Sequence, residues 1–185
     1  MTTYGTSDFT SEVPCVAAAP SPSSQIERIT NGSFSSGTSG WTLVGDFWAG
    51  TNFSNYRTPP GYAAGGVNSE GLPINNAAGW MYQTVAIPSG ATSATLSFWH
   101  NITSYNPGPN KVDILTVYIA DSEGNWLDFV IYNNLDSTYL GDYKKKTFDL
   151  TSYKGQIIKI TFLATTDYSN TTTFRIDDVS LMSDG

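Results

Sequence analysis

Residues 174–181 read FRIDDVSL, and the adjacent carboxylates Asp177 and Asp178 stand in a stretch that otherwise alternates as a β-strand does. Asp is unfavourable inside a strand, and two neighbouring like charges repel. Such a pair suits a hard cation bound through oxygen ligands. It also suits hydrogen bonds from backbone N–H groups of the first strand, or pairing with Arg175 or Arg28.

A second set of residues has the chemistry of sugar recognition. Pyranose rings need flat apolar faces for their C–H side and amides or hydroxyls for their O–H groups. Strand parity proposes where such groups lie. In ATLSFWHNIT (94–103), Leu96, Phe98 and Ile102 share one face, and Trp99 points the other way with Ser97 and Asn101. In DILTVYIA (113–120), Thr116 and Tyr118 oppose Leu115, Val117 and Ile119. In IIKITFLATT (157–166), Lys159 and Thr161 oppose Ile158, Ile160 and Phe162. Trp80, Tyr82 and Gln83 lie on a neighbouring alternation, and Trp126 follows a turn. The candidate ligand-binding residues are Trp99, Tyr118, Asn101, Trp80, Tyr82 and Trp126. Trp41, Phe34 and Phe98 read as core.

Catalytic chemistry finds little to use. Nucleophilic catalysis needs a nucleophile with an oriented base. The chain has one histidine and one cysteine, His100 and Cys15, far apart in sequence. Parity turns His100 toward the interior, as a satisfied buried imidazole. Most acids fall at turns, and no hydrolase, phosphate-loop or zinc spacing occurs. Asp121-Ser122-Glu123-Gly124-Asn125 lacks the sixth-position Gly and twelfth-position Glu of a calcium loop, and reads as a hairpin turn. The expectation is a protein that is not an enzyme.

Composition agrees with a binding or structural role. Of the 185 residues, 14% are charged and 14% aromatic, including 11 Tyr, and the net charge is −7. A typical chain is about a quarter charged. The surface must be built from Ser, Thr, Asn, Gly and Tyr, an extracellular style that also suits neutral polyhydroxylated ligands. The negative charge disfavours nucleic acid and anionic membranes. No apolar run is long enough to span a membrane. The basic cluster Lys144-Lys145-Lys146 reads as a guard on an exposed strand edge.

The elements that must position these groups are strands. Short alternating segments, separated by Gly, Pro, Asn and Asp turns, run from residue 26 onward: 80–87, 94–103, 113–120, 126–132, 145–153, 157–166 and 173–181. None shows helical spacing over three turns. The fold class is all-β, a two-sheet antiparallel jelly-roll β-sandwich spanning residues 26–185. Residues 1–25 are small, polar and Pro-containing, a linker or extended N-terminal arm. Residues 1–10 lack the basic start and apolar core of a signal peptide. Phe9, Val13 and Val16 would allow the arm to add a strand to another copy. Cys15 forms no intrachain disulfide and reads as a linker residue or a link to another chain.

Three stretches carry a resemblance: NGSFSSGTSGW (31–41); VAIPSGATSATLSFWHNITS (85–104) with DILTVYIADSEG after it; and FDLTSYKGQIIKITFLATTD with TTFRIDDVSL (148–181). Together they resemble the bacterial β-jelly-roll modules related to carbohydrate-binding modules and MAM-like domains, which are appended to secreted hydrolases. The resemblance implies a structural Ca²⁺ joining the first strand to the last. Its ligands would be Asp177, the segment holding Ser33 and Ser35, and an acid from a later loop, with Glu70 or Asp46 as substitutes. Ser35 stands where the pattern has Glu, which weakens that site. The resemblance also implies a secreted, non-catalytic module that binds carbohydrate or glycosylated surfaces. The alternative is a structural or adhesive extracellular subunit assembling with other copies through residues 1–25.

Overall fold

The computed structural model describes Met1, residues 24–106 and residues 108–185. The strands in chain order are β1 (Ile26–Glu27), β2 (Thr42–Gly45), β3 (Phe47–Gly50), β4 (Tyr62–Gly65), β5 (Ala78–Ala86) and β6 (Ala94–Ser104). They continue with β7 (Ile114–Ala120), β8 (Trp126–Asn133), β9 (Lys144–Asp149), β10 (Ile157–Thr165) and β11 (Thr172–Ser183). Cys15 and nearly all of the proposed arm lie outside the described residues.

Two antiparallel sheets form a jelly-roll sandwich. One runs β3-β4-β11-β6-β9, with β1 added beside β11; the other runs β2-β5-β10-β7-β8. The expected alternation holds. Leu96, Phe98 and Ile102 meet Leu115, Val117, Ile119, Ile158, Ile160 and Phe162 between the sheets, each at most 1% exposed. Phe98 and Phe162 cross edge to face at 5.1 Å, a favoured aromatic geometry. Trp41 and Phe34 are in this core as expected.

The strands β1 to β4 have two or four residues each and fall outside the segments expected from alternation. TLVG, FWAG and YAAG are too short and too rich in Gly and Ala to show a period. Within β11 the ladder to β6 slips between Asp177 and Ser180, and Asp178 has φ 47°. This β-bulge is why Ile176 and Val179, three residues apart, both face the core.

Two of the sheet edges, β9 and β8, are guarded. The strand β9 is an edge and carries the three lysines, as expected. At the other sheet's β8 edge, the Tyr153 hydroxyl donates to the Leu127 carbonyl at 2.9 Å. The Asp128 carboxylate accepts the Phe129 N–H at 2.7 Å, and Asp136 accepts the Asn133 N–H at 2.8 Å. Side chains thus take up backbone groups that a neighbouring strand would otherwise seek.

Candidate functional site: an aromatic face on the second sheet

The aspartate pair holds a loop. Asp177 is fully buried. Its Oδ2 accepts the N–H of Arg57 at 2.8 Å and of Thr58 at 2.9 Å, and its Oδ1 accepts the N–H of Asp178 at 2.7 Å. Asp178 takes the Thr58 hydroxyl at 2.7 Å and pairs with the Arg57 guanidinium. The donors therefore come from the loop before β4 rather than from the first strand, and the arginine is Arg57. Arg28 instead bonds Ser183 and the Gly185 carbonyl. Burial pushes the Asp177 carboxyl up to about 6, against the pull of the Thr58 N–H.

The same geometry bears on the expected Ca²⁺ ligands. No hydrogen bond joins Asp177 to Ser33, Ser35 or Glu70 among the described residues, and both Asp177 oxygens are turned to N–H donors. Glu70 is exposed on a turn closed by Asn68. No three His, Cys, Asp or Glu side chains converge among the described residues. With N–H donors on both of its oxygens, Asp177 serves as the anchor of the loop.

The latch decides the fate of Trp99. The Arg57 guanidinium lies 3.8 Å from the centre of the Trp99 ring, a cation–π contact. Trp48, Tyr62, Ala64 and Val67 form a second small core on this outer face, with Phe53 and Tyr56 of the loop packed on it. Asn101 is 1% exposed, and its amide donates to Thr138 Oγ1 at 2.9 Å and to the Tyr139 carbonyl at 2.8 Å. Trp99 and Asn101 thus hold loops on the first sheet, apart from the other four candidates. Parity gave their side of the strand but not the loops that cover it.

The other four candidates share the outer face of the second sheet. Register places Tyr82, Thr161, Tyr118 and Phe129 in one row across β5, β10, β7 and β8. Trp80, Leu163, Thr116 and Ile131 form the next row, extended by Val44 on β2. Trp126 stacks on Tyr118 with centroids 4.5 Å apart and planes 11° from parallel, and Phe129 tilts against it at 5.7 Å. Trp126 and Phe129 are each 53% exposed. By strand and residue spacing, Trp80 and Tyr118 stand about 12 Å apart.

Beside Trp126 the face drops into a cleft of 470 Å³ lined by Thr84, Tyr118, Ser122, Glu123 and Lys159 among others. The hairpin 121–125 forms its rim, as the turn reading expected. Asp121 accepts the N–H groups of Glu123 and Asn125, both at 2.9 Å. The Asn125 side chain, with these N–H groups, holds the Asp121 carboxyl below its ordinary range. Phe129, Ile131, Leu163 and Val44 were missed in the sequence. In WLDFVIY apolar residues occupy both parities around Asp128, and the register to β7 shifts within it, so its outward residues carry no signal of their own.

His100 is buried, as parity expected, at 7% exposure, but its Nδ1 has no hydrogen-bond partner among the described residues, so the imidazole is not satisfied as expected. Its ring lies 4.1 Å from that of Tyr132, and burial lowers its pKa to about 4. No nucleophile is bonded to it among the described residues.

The sandwich has known counterparts. TmCBM61, solved in complex with β-1,4-galactotriose, superposes with a TM-score of 0.62 at 17% identity, covering 86% of this chain and 99% of that one. A family 16 carbohydrate-binding module gives 0.50 at 20% identity, covering 83% and 97%. The K1 cleaved adhesin domain of Lys-gingipain from Porphyromonas gingivalis W83 gives 0.53 at 14% identity, covering 88% and 98%. No protein-family profile matches the chain, and no curated protein matches it. The protein has the β-sandwich fold found in carbohydrate-binding modules.

Proposed function

We propose that this protein is a secreted, non-catalytic module that binds carbohydrate through the outer face of its second sheet. The observation that carries this reading is the aromatic surface across β5, β7 and β8: Trp80 and Tyr82 on one side, the stacked Tyr118–Trp126 pair on the other. Rings held in register on a rigid sheet offer apolar faces to successive sugars at small entropic cost. Thr84 and Lys159 add polar contacts at the cleft. The fold shared with TmCBM61 and the family 16 module supports the reading.

A glycan array tests it with wild type, Trp126→Ala, Trp80→Ala and Trp99→Ala. Loss of signal in the first two variants, with the third unchanged, is the expected result. Equal loss in Trp99→Ala, or no signal from wild type, overturns it.

One observation favours a second reading. The row Val44, Trp80, Leu163 and Ile131 is apolar along its length apart from Thr116, and apolar strips also suit protein contacts. In that reading the protein is an adhesive or structural subunit, with residues 1–25 engaging another copy. Light scattering of the whole chain and of a chain lacking residues 1–25 separates the two.

A further inference from the structure

The cleft beside Trp126 holds a charge that the aromatic face does not need for stacking. Lys159 lies on β10, the central strand of the second sheet, and its row neighbours are Thr84 and Ala120. Its Nζ sits 4.8 Å from the centre of the Tyr82 ring. No carboxylate pairs with it: the ion pairs among the described residues are Arg57–Asp178 and Lys144–Asp142. The Lys159 ammonium therefore lies over the Tyr82 ring, on the strand between the two aromatic shelves, with no carboxylate partner among the described residues. A chain crossing from one shelf to the other passes over it.

The charges around Lys159 narrow what it can receive. Asp121 has its oxygens committed to the hairpin. Glu123 lines the same cleft and is exposed. These two acids and the net charge of −7 oppose a densely charged polyanion. They leave room for one local anion at the ammonium, where a donor-only cation gains most from a carboxylate acceptor.

Resting on the carbohydrate-binding reading, we infer that Lys159 selects glycans carrying a sparse uronic acid, with the sugar ring on Trp126 and its carboxylate on Nζ. Thr84 and Ser122 line the same cleft, and hydroxyl side chains suit the remaining sugar hydroxyls.

The test uses β-1,4-glucan and β-1,4-galactan oligomers, each in native form and with a minority of residues oxidised at C6 to the uronic acid. Each pair differs only in that carboxylate. Calorimetry of wild type, Lys159→Gln and Trp80→Ala against both pairs reads the preference. Wild type is expected to bind an oxidised oligomer about fivefold tighter than its native partner, an advantage that shrinks with added salt. Lys159→Gln is expected to bind both members of each pair equally, whatever its affinity for the native oligomer. Equal binding of both members by wild type, with Trp80→Ala weakening both, overturns the role of Lys159 and leaves the carbohydrate reading standing. Binding of neither pair overturns both.

Discussion

The carboxylate of Asp177 accepts the backbone N–H of Arg57 at 2.8 Å across 120 residues of sequence. The adjoining Asp178 takes the side chain of that same arginine. One dipeptide in the last strand thereby grips both the backbone and the guanidinium of a loop residue. Asp177→Ala should leave the N–H groups of Arg57, Thr58 and Asp178 without this acceptor. A loss of about 1–3 kcal/mol is expected, since each abandoned part-buried donor costs up to about 1 kcal/mol. Urea unfolding checks it, and Trp99 emission should shift as the Arg57 contact loosens.

Calcium should be dispensable to this latch. Because N–H groups occupy the Asp177 oxygens, melting temperatures in millimolar Ca²⁺ and in EDTA are expected to coincide. A rise with Ca²⁺ that disappears in Asp177→Ala would restore the expected ion.

Acid should act on two buried groups in opposite senses. His100 is lowered to about 4, so the unfolded chain takes up a proton near its ordinary 6.5 before the folded chain does. Stability therefore falls as pH drops between those values. Asp177 is raised to about 6, so its folded form binds the proton first. Its contribution is fully present below the ordinary carboxyl range and is lost as pH rises through 6. Each effect amounts to roughly 3 kcal/mol at its limit, so from pH 6.5 to 4 they largely cancel. His100→Leu should gain stability over that range and Asp177→Asn should lose it. Denaturant midpoints at several pH values read both signs.

Tyr118 should matter to binding through its neighbour. Its ring backs Trp126 at 4.5 Å. Tyr118→Ala should weaken glycan binding about tenfold by freeing Trp126, while Tyr118→Phe preserves it. Calorimetry on a glycan found by the array distinguishes the two variants.

The β8 edge should become adhesive when its caps are removed. Asp128→Ala with Tyr153→Phe frees the Phe129 N–H and the Leu127 carbonyl. Concentration-dependent self-association, seen by light scattering, is the expected outcome. A monodisperse double variant would show that those caps do not protect the edge.

Much of the sandwich is legible because burial leaves a period of two. Leu115, Val117 and Ile119 declare their inward face, and Tyr118 its outward one. The bulge is not legible in this way, because FRIDDVSL reads as alternating; the structure shows it in the three-residue step from Ile176 to Val179. What alternation cannot convey is the fate of the outward side. Trp99 and Tyr118 obey the same rule, yet Trp99 lies beneath Arg57 and Tyr118 supports an open platform. That difference depends on a loop tethered by residues far away in sequence. The four-residue strands stayed hidden because Gly45, Gly50 and Gly65 end them before a pattern can repeat.

Ile26 lies directly opposite Ser183 in the β1–β11 pairing. These two ends of the described sandwich are thus side by side, both on the sheet that does not carry the aromatic platform, so a tether attached at either one leaves those rings clear.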